Sequence, residues 1–263
     1  MEDRIIFLGT GGDHFVTGKQ ILGSGGIILQ TEGMQFHIDP GPGALTAAKQ
    51  SKIHPRETTA ILVSHAHIGH CNDVNALISA ATYAGFDRQS VLIANKTLVD
   101  DRDNNKPLLT DFHRECVERV IVVIEGNKVG INDIQIDALK TVHHDSNGVG
   151  FKFTCPKFTL VYTGDTEYFP EMEELYKESD VIIFNMQEPF DKKEKGHLSP
   201  EDVIKVINAV KPKVAVVTHF GNKLLSEDPL ETAREIQRQT GVQTIVPKDG
   251  TQLNPVSHKH AVM

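Results

Sequence analysis

Short apolar runs rich in β-branched residues recur along the chain, at residues 5–8, 26–30, 61–64, 91–94, 159–163, 181–185, 214–218 and 243–246. Runs of this length and composition read as strands. Helical patterns with recognisable ends lie between several of them. Residues 72–84 form one such pattern, closed by Gly85. A second opens at Ser199-Pro200-Glu201-Asp202 and runs to Val210, with an N-cap serine, proline at the first helical position and an acidic third residue. A third runs from Pro229 to Thr240 and stops at Gly241. Strands and helices alternate to the end with no short-period repeat and no low-complexity tract, which predicts one compact α/β domain over residues 1–263. Residues 100–117 carry the polar, turn-rich segment Asp101-Arg102-Asp103-Asn104-Asn105-Lys106-Pro107 and read as a surface loop. The apolar and charged mixture that follows, residues 112–123, suits either a lid over a cleft or a contact between subunits of a homo-oligomer.

At 263 residues and 39% hydrophobic content, the chain can bury a full core without staples. Cys71, Cys116 and Cys155 lie far apart, which argues against a disulfide framework or a cysteine-based zinc knot and for a reducing compartment. The start of the chain runs directly into the first apolar strand, too short for a signal peptide, and no later run approaches a membrane span. The expectation is a cytoplasmic protein with no membrane partner. A net charge of −8 gives no global field to draw in nucleic acid and points to a small substrate. The compositional oddity is thirteen histidines, and their placement carries the chemistry.

Three of them fall in Ser64-His65-Ala66-His67-Ile68-Gly69-His70, at the end of an apolar strand. The strand period of two puts His65 and His67 on one side, and Gly69 lets the chain turn sharply to return His70 to them. Neutral imidazole is a common ligand for zinc and iron, and a strand end followed by a tight loop is a rigid mount for it. A lone histidine is more often a surface or hydrogen-bonded core residue; three at this spacing are not well explained that way. Further candidates follow other strand-like runs: His143-His144-Asp145, Asp165 after Thr163-Gly164, and His219 after Thr218. Singly, Asp165 reads as a turn former and His219 as a helix cap; with the triple histidine they make a two-metal site.

The order and content of these segments resemble the metallo-β-lactamase superfamily of metal-dependent hydrolases over nearly the whole chain. The resemblance rests on Leu8-Gly9-Thr10-Gly11-Gly12, His37-Ile38-Asp39-Pro40-Gly41-Pro42-Gly43, the triple histidine, His144-Asp145, Thr163-Gly164-Asp165-Thr166, Gly196-His197-Leu198-Ser199 and Thr218-His219-Phe220-Gly221. It implies a four-layer αβ/βα sandwich with the metals in a cleft at one edge of the two sheets. Carried over, His65, His67 and His144 bind the first metal, with His143 the fallback if the register slips by one. His70 and His219 bind the second, and Asp165 bridges the two. Asp39 orients a ligand histidine without touching the metal, although an Asp-Pro-Gly turn accounts for it equally well. His197 donates a proton to the leaving group or grips a phosphate oxygen; an exposed loop histidine is the alternative.

The chain departs from the superfamily pattern His-x-His-x-Asp-His at Gly69, where the aspartate belongs. Without that oxygen the second site should hold its metal less tightly or not at all. A weakened two-metal centre, a single-metal enzyme and a member whose catalysis has decayed are the competing readings. Asp13, Asp73 and Cys71 are candidate substitutes for the missing ligand. The expected cofactor is Zn2+, one or two ions, with Mn2+ or Fe2+ as alternatives. The expected chemistry is attack by a metal-bound hydroxide, with Asp165 and His197 the catalytic residues. The substrate is expected to be a phosphoester, since Gly196-His197-Leu198-Ser199 and Thr218-His219-Phe220-Gly221 resemble the phosphodiesterase and ribonuclease Z-like branch. Thioester or lactone hydrolysis on the same centre, and a noncatalytic metal-binding role, are the rivals.

Overall fold

The computed structural model describes residues 2–100 and 107–262. The first sheet is built from β1 (Arg4–Phe7), β2 (Ile27–Thr31), β3 (Met34–Ile38), β4 (Thr58–Val63), β5 (Val91–Asn95) and β6 (Arg119–Val123). The chain then crosses to a second sheet of β7 (Lys128–Ile131), β8 (Ile134–Lys140), β9 (Val149–Thr154), β10 (Thr159–Tyr162), β11 (Val181–Asn185), β12 (Val214–Thr218) and β13 (Gln243–Ile245). It returns to the first sheet with β14 (Thr251–Leu253) and β15 (His260–Val262). The spatial orders are β15-β14-β1-β2-β3-β4-β5-β6 and β13-β12-β11-β10-β9-β8-β7.

Each sheet is antiparallel on one side and parallel on the other: β3 to β6 run parallel in the first and β10 to β13 in the second. A parallel half must be covered on both faces, so its strands read as continuous apolar runs. In β4, Ala60 and Leu62 face the second sheet, where Phe36 of β3 meets Phe153 of β9 edge-on at 5.7 Å. Ile61 and Val63 face outward onto Leu77 and Ile78 of α4. The same division holds in β11, with Val181 and Ile183 inward and Ile182 and Phe184 outward against the helix that follows Ser199.

The helices form the outer layers. On the first sheet lie α2 (Ala44–Gln50), the single turn α3 (Ile68–Cys71), α4 (Val74–Thr82), α5 (Lys96–Val99) and α6 (Asp111–Cys116), while the short α1 (His14–Lys19) follows β1. On the second lie α7 (Met172–Leu175), α8 (Pro200–Val210), α9 (Asn222–Glu227) and α10 (Pro229–Thr240). The result is the expected four-layer αβ/βα sandwich. The helix at Ser199 carries a full capping box, in which Ser199 Oγ accepts from Asp202 N and the Asp202 carboxylate accepts from Ser199 N.

The stretch read as a loop over residues 100–117 differs from that expectation. Thr110 caps α6, and Leu109, Cys116 and Val117 are buried in the cluster around α4. Residues 101–106 lie outside the described residues. Among the described residues none helix is long and apolar enough to cross a membrane.

Candidate metal centre

The cluster sits beyond the carboxyl ends of strands from both sheets, where an open α/β sheet gathers its functional groups. Asp39 follows β3, His65, His67 and His70 follow β4, His143 follows β8, Asp165 follows β10 and His219 follows β12. The two sheets are tied together here by Val149 N donating to Ser64 O at 2.9 Å. The triple histidine converges by a different route from strand alternation. β4 ends at Val63, His67 stands at the N-cap of α3, and His70 lies one helical turn on, its N–H donating to His67 O at 2.9 Å. Gly69 is an ordinary residue of that turn, outside the left-handed region, so the turn does not depend on glycine.

His65 Nε2 lies 3.1 Å from His67 Nδ1, and His143 Nε2 lies 3.2 Å from the same atom. With Asp165 they make a group of four donors; His70, Asp165 and His219 make a second group of three. Asp165 stands between the groups: its Oδ2 is 3.6 Å from His65 Nε2 and 3.4 Å from His70 Nε2, while its Oδ1 is 3.4 Å from His219 Nε2. His70 Nε2 and His219 Nε2 face each other at 3.0 Å.

His144, expected as a ligand with His143 as the fallback, is in neither group; His143 is. The His144 side chain is exposed at the rim of the cleft, whereas the His143 side chain is 1% exposed. The choice is made by Gly196, whose carbonyl accepts from His143 Nδ1 at 2.8 Å and so aims Nε2 at the cluster. Gly196 has φ +85°, and a Cβ there would lie 2.8 Å from His143 Nδ1, so glycine is required on both counts.

The hydrogen bonds around the rings fix their protonation. His65 Nδ1–H donates to Ser64 Oγ at 2.9 Å, because that hydroxyl gives its own hydrogen to Asp39 Oδ2 at 2.6 Å. His143 Nδ1–H is committed to Gly196 and His70 Nδ1–H to Asp39 Oδ2 at 2.9 Å. His65 and His143 therefore each turn a bare Nε2 lone pair inward, while His70 directs Nε2 inward and bares it only on losing its second hydrogen. His65 and His143 both point theirs at His67 Nδ1, which has at most one hydrogen to give, and an anionic carboxylate stands beside them. Converging lone pairs of this kind are satisfied by a cation, so the donor set fits a metal.

The electrostatics agree. Burial opposes charge on His70, but the Asp165 and Asp39 carboxylates outweigh it and draw its pKa up to about 10, supplying a cation from the protein itself. Burial pushes His67 down to about 4 and His219 to about 3. Burial would raise Asp165, yet the His219 and His70 imidazoles hold it well below the usual carboxylate range.

Asp39 is a positioning group, as well as the turn residue its Asp-Pro-Gly context suggests. Its φ is +51°, and in that conformation Oδ1 accepts from Ser64 N while Oδ2 accepts from Ser64 Oγ, His70 Nδ1 and Tyr162 Oη. Tyr162 and Asn185 extend the support: Asn185 Nδ2 donates to Tyr162 Oη at 3.0 Å and to Asp165 Oδ1 at 2.8 Å. Sequence reading missed both residues, because neither belongs to a ligand motif. Asp145, named with His143 and His144 among the ligand candidates, is in neither donor group. It accepts from Ala66 N, Asn95 Nδ2, Thr97 Oγ1 and Asn147 N, and so locks the His65–His67 loop to the His143 loop.

His197 is 7% exposed. Its Nδ1 has no hydrogen-bond partner and lies 3.9 Å from Asp165 Oδ2, while Gln187 Nε2 approaches its Nε2 at 3.2 Å. The candidate replacements for the missing aspartate are all occupied elsewhere. Asp13 caps α1 through Val16 N and α9 through Asn222 N. Asp73 accepts from Ala44 N and Asn72 Nδ2. Burial pushes the Cys71 thiol up to about 12, and its Sγ–H donates to His67 O. A cleft of about 270 Å³ opens over the centre, lined by Asp13, His14, Thr17, Gly69, Glu194 and His197 among others, with no lysine or arginine in its described wall.

Two facing sheets that converge at one edge on a cluster demanding a cation define a metal-dependent hydrolase with the metallo-β-lactamase fold. The chain belongs to the beta-lactamase superfamily: the family model described as "Beta-lactamase superfamily domain" matches residues 35–220. It is 30% identical to an uncharacterised protein of Methanocaldococcus jannaschii over 99% of this chain and 98% of that one. It is 28% identical to a metal-dependent hydrolase of Carboxydothermus hydrogenoformans over 76% of this chain and 82% of that one. A ribonuclease Z of Thermococcus kodakarensis is 21% identical over 94% of this chain and 93% of its own. Among solved structures, a metallo-beta-lactamase fold protein of Bacillus subtilis superposes with a TM-score of 0.79 at 17% identity, over 95% of this chain and 98% of that one.

Proposed function

We propose that this hydrolase cleaves a phosphoester, of the phosphodiester or cyclic-nucleotide type, with zinc held by His65, His67, His143 and Asp165 in one site and by His70, Asp165 and His219 in the other. When bound, the metal supplies an acidified water and polarises the oxygen that gains charge. Asp165 reaches both donor groups and fixes their spacing. Asp39, held by Ser64 and Tyr162, keeps His70 Nε2 aimed inward.

The observation that carries the phosphoester reading is His197. With Gln187 Nε2 donating to its Nε2, the ring hydrogen resides on Nδ1, buried, unpartnered and directed at the centre. A hydrogen-bond donor held there can bind a non-bridging phosphate oxygen or protonate a departing alkoxide. The similarity to a ribonuclease Z, a phosphodiesterase by name, supports the same chemistry. The absence of lysine and arginine from the described cleft wall favours a diester, with its single charge, over a monoester or polyphosphate.

A wall without lysine or arginine also favours one second reading, hydrolysis of a thioester or lactone on the same centre. Purified protein loaded with zinc or manganese, and screened on bis-aryl phosphate, cyclic nucleotide, thioester and lactone substrates, separates the two. Turnover of the phosphodiesters alone is expected. Turnover restricted to carbonyl substrates overturns the phosphoester reading, and protein that takes up no transition metal overturns the metalloenzyme.

A further inference from the structure

We propose that the space beside Gly69 is a substrate subsite, in which a phosphate oxygen supplies the anionic donor that the His70, Asp165 and His219 group lacks. The inference rests on the metal-dependent phosphoester reading and specifies how that centre is completed.

The two donor groups are unequal. The first offers three imidazoles and a carboxylate; the second offers two imidazoles and shares that same carboxylate. Gly69 stands one residue before His70 in the same helical turn, and its backbone conformation admits any residue. On one side Gly69 is packed: a Cβ on Gly41 would lie 1.9 Å from Gly69 O. On the other it is open, since a Cβ on Gly69 would meet nothing closer than Thr17 Oγ1 at 3.9 Å. That open side faces the cleft, whose wall includes Gly69, His70, Asp165 and His219 together. Asp13, Asp73 and Cys71 are each committed to other hydrogen bonds, so among the described residues none of the neighbouring acidic or thiol groups fills it.

The charge of the cleft makes the two partners depend on each other. With no lysine or arginine in the described wall, and with Asp13, Asp165 and Glu194 present, an anion entering beside Gly69 finds its attraction in the bound cations. A cation at the three-donor group, in turn, gains its missing hard oxygen from the anion. Such coupling is reciprocal: phosphate tightens the second metal by the factor by which the second metal tightens phosphate.

The test is a titration of the metal-free protein with Co2+, followed by its visible spectrum and by competition with a chromophoric chelator, with and without inorganic phosphate. One equivalent should bind tightly and ignore phosphate; the second should bind weakly and tighten about tenfold or more when phosphate is added, the scale on which a lost supporting group weakens a metal site. Gly69→Asp should take two tight equivalents without phosphate and lose the phosphate effect, while Gly69→Ala, which adds only a methyl, should keep the wild-type inequality. Two equally tight equivalents in wild-type protein, or a second equivalent indifferent to phosphate, overturns the inference and leaves the hydrolase reading standing. Protein that binds no metal under any condition overturns the reading on which it rests. The wild-type titration decides the matter even if Gly69→Asp fails to fold.

Discussion

His70 donates its Nδ1 hydrogen to Asp39 Oδ2 across 2.9 Å, and the same oxygen also takes hydrogens from Ser64 Oγ and Tyr162 Oη. One buried carboxylate therefore holds the Nδ1 hydrogen of a histidine in the second donor group and ties β3, β4 and β10 together behind the centre. Asp39→Asn should weaken metal binding about 10- to 100-fold at the second donor group, the range found for groups that support a ligand, and by a smaller factor at the first, which Asp39 reaches only through Ser64 Oγ and His65. An amide at this position would also set an NH2 or a single carbonyl against four donors, so the melting temperature should fall. Metal titration alongside thermal unfolding checks both; equal weakening of the two equivalents would contradict the assignment of Asp39 to His70.

The choice between two adjacent histidines gives a sharper test. His143 Nε2 sits 3.2 Å from His67 Nδ1, while His144 is exposed at the cleft rim. His143→Ala should lower bound metal by about one equivalent, and His144→Ala should leave the metal content at the wild-type value. Gly196→Ala should resemble His143→Ala, because its methyl would collide with the ring at Nδ1 and because alanine is strained at φ +85°. Elemental analysis of the three variants, with circular dichroism to confirm folding, reads the result.

These cases show how much was legible beforehand. The parallel strands β4, β11 and β12 could be read from sequence because they are buried on both faces, so each carries an unbroken run of four apolar residues. β7 could not, since it is four residues of alternating half-exposed character, and β9 could not, since Gly148 and Gly150 make it look like a turn. α1 was missed because it is one and a half turns long with Gly18 inside it. His65, His67, His70, Asp165 and His219 were recognisable from their order along the chain. The register at His143 was not, because it is decided by a carbonyl 53 residues away. Tyr162 and Asn185 carry no motif at all; only their convergence on Asp39 and Asp165 in three dimensions shows what they do.

Acid stability should report the capping box of α8. Burial would raise the pKa of Asp202, but its bonds from Ser199 Oγ and N, aided by Lys193, lower it below the ordinary value of 3.8. A group depressed by folding stabilises the native state above its unfolded pKa, and that contribution is lost as pH falls through the lower folded pKa. Metal-free wild-type protein should thus lose stability in urea as pH drops from 3.8 downward, and Asp202→Asn should lose less over the same window while being less stable by about 1 kcal/mol at pH 7, the usual worth of a cap. Parallel urea curves at all pH values would show that Asp202 is not coupled to folding.

His197 separates catalysis from metal binding. It is outside both donor groups, yet its unpartnered Nδ1 lies 3.9 Å from Asp165 Oδ2 at the floor of the cleft. Removing a group that donates to the leaving oxygen costs about 10²- to 10⁴-fold in rate, whereas removing a group outside the donor set should not change metal stoichiometry. His197→Ala is therefore expected to keep its metal and lose turnover by that factor on a substrate with a poor leaving group. On an activated aryl phosphodiester, whose leaving group needs no proton, the loss should shrink markedly. Gln187→Leu should produce a smaller loss with the same dependence on leaving group, because without the amide either ring nitrogen can carry the hydrogen and only part of the population presents Nδ1–H. A loss that is the same for both classes of substrate would place His197 in phosphate binding and take it out of proton transfer.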